Sequence, residues 1–193
     1  MQNANSDVLK PTLWRTCRVL ANLTRLKILR ELCRRPEQQV SGIAMRLGLS
    51  IPLASQSLRA LNARGLLGAR RAGKKVFYRP EADHTIPSCA PLLKALAEAF
   101  AHERQAEKRI YLYATAFTHP RRIRIIAALR TKPMLSKELA RQTGIPLPSL
   151  QRHLHKLTAR GFVTRSSGWY ICAAPRPPLA RLLQQHACAI RQA

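Results

Sequence analysis

The sequence predicts a mainly α chain with small β-hairpin wings, built as one unit made twice. Three observations lead there: the chain matches itself over nearly its whole length, each copy spaces its apolar residues at helical intervals, and each copy then runs into two short strand-like segments around a glycine turn. At an offset of 96, "AMRLGLSIPLASQSLRALNARGLL" lies on "ARQTGIPLPSLQRHLHKLTARGFV", pairing Gly48 with Gly144, Leu58 with Leu154, Leu61 with Leu157 and Gly65 with Gly161. Upstream the offset becomes 97, and "NLTRLKILREL" lies on "HPRRIRIIAAL".

The opening helix of each unit places Leu26, Leu29 and Leu32, or Ile123, Ile126 and Leu129, on one face, with basic residues outside. Ser41 and Ser136 each follow an apolar residue and are expected to cap a short helix that ends at Gly48 or Gly144, where glycine permits left-handed backbone. The next helix aligns Ala54, Leu58 and Leu61, or Leu150, Leu154 and Leu157, and is expected to stop at Gly65 or Gly161. Two strands follow, with turns at Ala72-Gly73 and Ser167-Gly168. Helix, glycine turn, helix and hairpin is the pattern of a winged helix-turn-helix.

Between the copies, "PLLKALAEAFAHERQAEKRIYLYATAF" has neither Gly nor Pro after Pro91. A helix opened by Pro91 and continuing to about Phe117 would span roughly 40 Å, near the ~34–36 Å between adjacent half-sites on DNA. A break within "HERQAEKR" would give two stacked helices instead. The two units are placed at residues 8–101 and 102–193.

These residues resemble the ArsR/SmtB-like winged-helix regulators. The likeness lies in "NLTRLKILREL", in "LGLSIPLASQSLRALNARGLL" and in the "GKKVFYR" wing, and it extends to flanking helices: "PTLWRTCRVLANL" is similar to "EKRIYLYATAFTHP", and "PLLKALAEAF" to "PLARLLQQHA". In that family the first and last helices form the dimer. The resemblance therefore implies a fused dimer, an intrachain pseudo-dimer acting as a transcriptional regulator and, by family habit, a repressor. Further homo-oligomerisation is left open.

Charge points the same way. With 34 Lys+Arg against 9 Asp+Glu the formal net charge is +25, shared as 17 basic to 5 acidic over residues 1–97 and 17 to 4 over 98–193. An excess carried by both halves calls for a polyanionic partner, double-stranded DNA. The outward side of the recognition helix would enter the major groove. The expected contacts are Ser50, Leu53, Ser55, Gln56 and Arg59 in the first copy, and Ser149, Gln151, Arg152, His155 and Lys156 in the second. Arg70, Arg71, Lys74 and Lys75 on one wing and Arg165 on the other would meet phosphates. Because the two sets differ, an asymmetric operator is expected. Leu53, Leu147 and Pro148, apolar residues at a recognition-helix start, either pack inward or touch thymine methyls, His153 is expected to bond a neighbour, and Trp14 and Trp169 to serve core or wing packing.

Other classes find less support. A sequence-tolerant architectural or nucleoid DNA binder is the nearest alternative, and a winged-helix protein-interaction scaffold the next. No Gly-rich phosphate loop and no His-Glu-x-x-His motif marks an enzyme. No cofactor or metal is expected: the family's Cys-x-Cys ligands would fall on Gln39 and Ser41, Cys33 is alone, and Asp83, His84, His102 and Glu103 do not share a face. The five cysteines are widely spaced, so reduced thiols are expected, with Cys17 and Cys89 able to meet only if their helices pack together. The N-terminal segment lacks a signal pattern and no apolar run approaches ~18 residues, so a cytoplasmic, nucleoid-associated protein is expected.

Overall fold

A computed structural model describes residues 12–189. The N-terminal segment read for a signal pattern, and residues 8–11 and 190–193 of the two expected units, lie outside the described residues. The first copy runs α1 (Leu13–Leu20), α2 (Leu23–Arg34), β1 (Gln38–Gln39), α3 (Val40–Leu47), α4 (Ile51–Asn62), β2 (Leu67–Ala72), β3 (Lys75–Pro80) and α5 (Cys89–His102). The second repeats that order as α6 (Ala106–Ala116), α7 (Pro120–Leu129), β4 (Met134–Leu135), α8 (Ser136–Thr143), α9 (Leu147–Ala159), β5 (Val163–Ser166), β6 (Trp169–Cys172) and α10 (Pro178–Ala189).

The apolar stripes fold as their spacing predicts. Leu26, Leu29, Leu32, Ile123, Ile126 and Leu129 are buried, as are Ala54, Leu58, Leu61, Leu150, Leu154 and Leu157. Gly48 and Gly144 end α3 and α8 at φ 61° and 63°, conformations in which a Cβ would be crowded by the following carbonyl. Each sheet is antiparallel and three-stranded, in the orders β1-β3-β2 and β4-β6-β5. The short outer strands β1 and β4 explain one departure from expectation. Because Gln39 and Leu135 are still extended and paired to Phe77 and Trp169, the chain enters α3 and α8 directly from a strand. Ser41 and Ser136 therefore sit inside the first helical turn and do not cap it. The side-chain caps lie elsewhere: Asn22 Oδ1 accepts the Arg25 N–H at 3.0 Å, Ser50 Oγ that of Leu53 at 3.4 Å, and His119 Nδ1 that of Arg121 at 3.1 Å.

Two further expectations are corrected, and one alternative is decided. The first wing turns at Gly73-Lys74, one residue later than expected, because Ala72 still pairs with Lys75; the second turns at Ser167-Gly168 as expected. The helices α4 and α9 end at Asn62 and Ala159, and Gly65 and Gly161 follow them in the turn, at φ 69° and 75°. Of the two readings of the link, the one with a break within "HERQAEKR" holds, and the first helix opens at Cys89 rather than at Pro91. That helix, α5, covers only 14 residues, roughly 21 Å, and Glu103 leaves it in an extended conformation before α6 begins. Before the break α5 buries Leu92, Leu96 and Phe100, and after it α6 buries Ala106, Ile110 and Ala114.

The two copies share one core. The helix α1 packs on its counterpart α6, and α5 on its counterpart α10, while α2 also lies against α6. There the Arg30 guanidinium holds both carboxylate oxygens of Glu107 at 2.9 Å. Burial pushes the Glu107 carboxyl up, but the Arg30 hydrogen bond and charge outweigh it and hold it below the ordinary value. All five cysteines are free thiols. Cys17 and Cys89 make separate contacts: Cys17 is fully buried within reach of the Arg122 charge, and Cys89 Sγ donates to the Arg64 carbonyl at 3.2 Å.

Candidate nucleic-acid interface

The helices α4 and α9 occupy the second-helix position of each helix-turn-helix. Proline in the first turn of each, Pro52 and Pro148, costs no intrahelical hydrogen bond there and presets the backbone. The inward stripes are closed by the leucines above, so the opposite stripes are open to solvent. In the first copy Ser50, Leu53, Gln56 and Arg59 are exposed and Ser55 is half-buried; in the second Gln151, Arg152 and His155 are exposed, and Ser149 and Lys156 are half-buried. Of the apolar residues at the helix starts, Leu53 and Pro148 are exposed, because Ala54 and Leu150 already fill the inward positions of their turns, whereas Leu147 packs partly against the core.

On the wings Arg70, Arg71, Lys74, Lys75 and Arg165 are all exposed. Arg70 is engaged within the protein as well: its Nε donates to Glu37 at 2.7 Å and its guanidinium lies 5.1 Å over the Phe77 ring. Arg165 covers Tyr170 in the same cross-strand position, at 5.6 Å. Trp169 is exposed on the second wing, opposite the equally exposed Leu135, so it is not a core residue. Trp14 is half-buried, with Arg15 and Arg18 over its ring at 5.1 and 5.7 Å.

An open groove of about 890 Å³ follows the outer side of α9, lined by Pro148, Gln151, Arg152, His155, Lys156 and Arg160. Arg160 is a contributor that sequence spacing does not single out, since it lies past the helix end; its Nε donates to Thr115 Oγ1 at 3.0 Å. Arg122 and Arg160 bring positive charge close to the groove residue Lys156. Burial, and then Arg122 and Arg160, lower the Lys156 ammonium pKa. His153 stacks on His119 with ring centroids 4.8 Å apart, where a hydrogen-bonded neighbour was expected. Burial first, then His119, Arg122, Arg121 and Arg152, push its imidazole down to about 4. His153 is thus neutral near neutral pH, while the arginines and Lys156 around it gather positive charge at the groove, a setting that favours a bound polyanion. Among the described residues no group of three or more His, Cys, Asp or Glu side chains is placed to hold a metal ion, and no helix is long and apolar enough to cross a membrane.

Comparison with known proteins assigns both halves. Residues 22–68 match the family model described as bacterial regulatory protein, arsR family, and residues 117–166 match one described as a helix-turn-helix domain. The HTH-type transcriptional regulator Rv0324 of Mycobacterium tuberculosis is 42% identical over 65 residues, 34% of this chain and 28% of that protein. The HTH-type transcriptional regulator KmtR of the same organism is 39% identical over 67 residues, 35% of this chain and 51% of that protein. The matched part therefore spans about a quarter of one relative and half of the other. Two helix-turn-helix matches at the two copies, each on an observed helix-turn-helix with its hairpin wing, make this chain a tandem of ArsR-like winged helix-turn-helix domains, DNA-binding modules of transcription regulation.

Proposed function

We propose that this chain is a sequence-specific transcriptional regulator, a repressor, that grips duplex DNA with α4 and α9 as two recognition helices on one polypeptide. The observation that carries the reading is the pair of outward stripes. Each helix buries one face completely and offers another, and the two offered faces differ: Leu53, Gln56 and Arg59 against Ser149, Arg152 and His155. Gln suits adenine and Arg suits guanine in bidentate contact, so unlike stripes read unlike half-sites.

The units 8–101 and 102–193 act as an intrachain pseudo-dimer. Packing of α1 on α6 and of α5 on α10, each helix on its own counterpart, supports this, because it relates the halves as two subunits of a dimer would be related. Ser50, Ser55 and Gln151 stand beside the base-reading stripes, Lys156 at the groove wall, and Arg70, Arg71, Lys74, Lys75 and Arg165 take phosphates, more of them on the first half. Bound to nucleoid DNA in the cytoplasm, such a clamp represses by occupying a promoter.

Selection of random duplexes by the purified chain at near-physiological salt tests this. The expected result is an enriched motif of two unlike halves. Arg152→Ala is expected to cost about 1–3 kcal/mol on that motif and much less on random DNA. Retention without any motif, with equal losses on both, would make the chain an architectural binder instead.

A further inference from the structure

We infer that the first copy reads thymine: Ile51 and Leu53, at the start of α4, meet thymine methyl groups in the major groove, so that its half-site is A·T-rich while that of the second copy carries guanine. This rests on the DNA-binding reading above.

Large aliphatic side chains stand in water at the start of α4, with Ile51 59% and Leu53 41% exposed. They are not spare core residues, because Ala54, Leu58 and Leu61 already close the inward face at full burial. Nor is this a frayed end, since the Ser50 hydroxyl accepts the Leu53 N–H and fixes the first turn. The fold does not require aliphatics there either. In the second copy the same turn forms with Leu147 packed partly against the core and Ser149, which accepts from Arg152 at 3.3 Å, at the position of Leu53.

The external partner is chosen by what surrounds these residues. Leu53, Gln56 and Arg59 follow one another at three-residue steps along one exposed stripe, ending the apolar stretch in an amide and a cation. Arg71, Lys74 and Lys75 stand on the wing of the same unit, a setting made for a polyanion rather than an apolar protein surface. The thymine C5-methyl is the apolar group that base edges present in the major groove, and Gln56 complements the adenine of the same kind of base pair. The second stripe, with Arg152 in the position of Gln56, complements guanine instead.

The duplex recovered by selection supplies the test. Deoxyuridine replaces thymidine in one half-site at a time, which removes only the methyl group, and affinity for the full chain is read by fluorescence anisotropy. Arg152→Ala assigns the halves, because it relaxes base preference only where the second copy reads. Deoxyuridine in the first-copy half is expected to weaken binding about fourfold per contacted methyl. In the other half it is expected to change nothing. Leu53→Ser, at an exposed position, leaves the melting temperature unchanged and reduces the difference between thymidine and uridine to the share that Ile51 carries. If both halves bind uridine as well as thymidine, the thymine assignment is wrong while the regulator stands. If no duplex is retained at all, the DNA reading fails and takes this inference with it.

Discussion

Arg25 and Arg122 occupy the same place in the two copies, yet they live in different surroundings. Each reaches back from the second helix of its unit to the last carbonyls of the preceding one. Arg25 donates to Arg18 and Val19 at 3.5 and 3.4 Å, and Arg122 to Thr115 and Ala116 at 3.2 and 2.6 Å, residue for residue at the offset of 97. Arg25 is only half-buried, whereas Arg122 is 6% exposed, adds Thr118 Oγ1 at 2.5 Å and lies where its charge reaches Cys17 of the other copy. The repeat thus keeps its backbone frame. Its copies diverge where they meet each other and where they face outward.

Removing each arginine in turn tests that contrast most severely. Arg122→Met would strand two carbonyls and a hydroxyl around the site, and is expected to cost about 3–5 kcal/mol. Arg25→Met, with longer bonds and water at hand, is expected to cost about 1 kcal/mol. Urea unfolding at neutral pH measures both. Equal losses would mean that the junction adds nothing to the second arginine.

A smaller contrast separates Gly65 from Gly161. Both have positive φ, so alanine costs about 1–2 kcal/mol of backbone strain at either position. At Gly65 the segment between β3 and α5 folds over the turn, with the Asp83 N–H donating to the Gly65 carbonyl at 2.9 Å. A Cβ there would meet Asp83 Cβ at 2.8 Å and Cys89 Sγ at 2.9 Å, whereas at Gly161 nothing lies within 4 Å. Gly65→Ala is therefore expected to lower stability by about 1–2 kcal/mol more than Gly161→Ala. Thermal melts of the two variants decide it, and equal melting temperatures would show that the covering segment yields freely.

How much of this is written in the sequence differs by feature. The helix-turn-helix units are legible because their leucines and isoleucines recur at helical spacing twice over, and Gly48 and Gly144 mark both turns. The strands β1 and β4 are not, since two residues have no alternation to read and exist only through pairing with Tyr78 and Tyr170. The break at Glu103 is half legible: the polar stretch "HERQAEKR" suits a continuous helix and a break alike, and the burial of Leu96 and Phe100 before it and of Ala106 and Ile110 after it goes with the break. In the candidate interface, helical spacing alone finds the outward stripe from Gln56 to Arg59 and from Arg152 to His155. It cannot tell an aliphatic residue held outward, such as Leu53, from one packed inward, such as Leu147. Arg122 reads as part of a basic outer face, because bonds to a preceding helix leave no period.

The least of the three contrasts concerns acid. His119 and His153 stand where the first copy has Asn22 and Ser57, so only the second copy carries a histidine stack. His119 is held below the ordinary histidine value by burial first and then by Arg122, Arg121 and Arg18, and its Nδ1 accepts the Arg121 N–H, which requires a bare nitrogen there. His153 is lower still, at about 4. A histidine whose folded pKa is depressed binds fewer protons in the native state than when unfolded. Its contribution is therefore intact above about pH 6.5, falls as the pH drops below that value, and levels off near the folded value of about 4. His153 is half-buried, so solvent screening reduces the effect to the order of 1 kcal/mol. Substituting His153→Gln removes a titrating group from the pair, and the variant is expected to lose less stability than the parent between pH 6.5 and 4, whereas Ser57→Ala, which removes no titrating group, keeps the parent's slope. Denaturant midpoints across that window measure it. A parent and variant with parallel pH profiles would place the acid response of this chain in its carboxylates, among them Glu107 against Arg30, whose contribution persists above its ordinary range and is lost as pH falls through its depressed value.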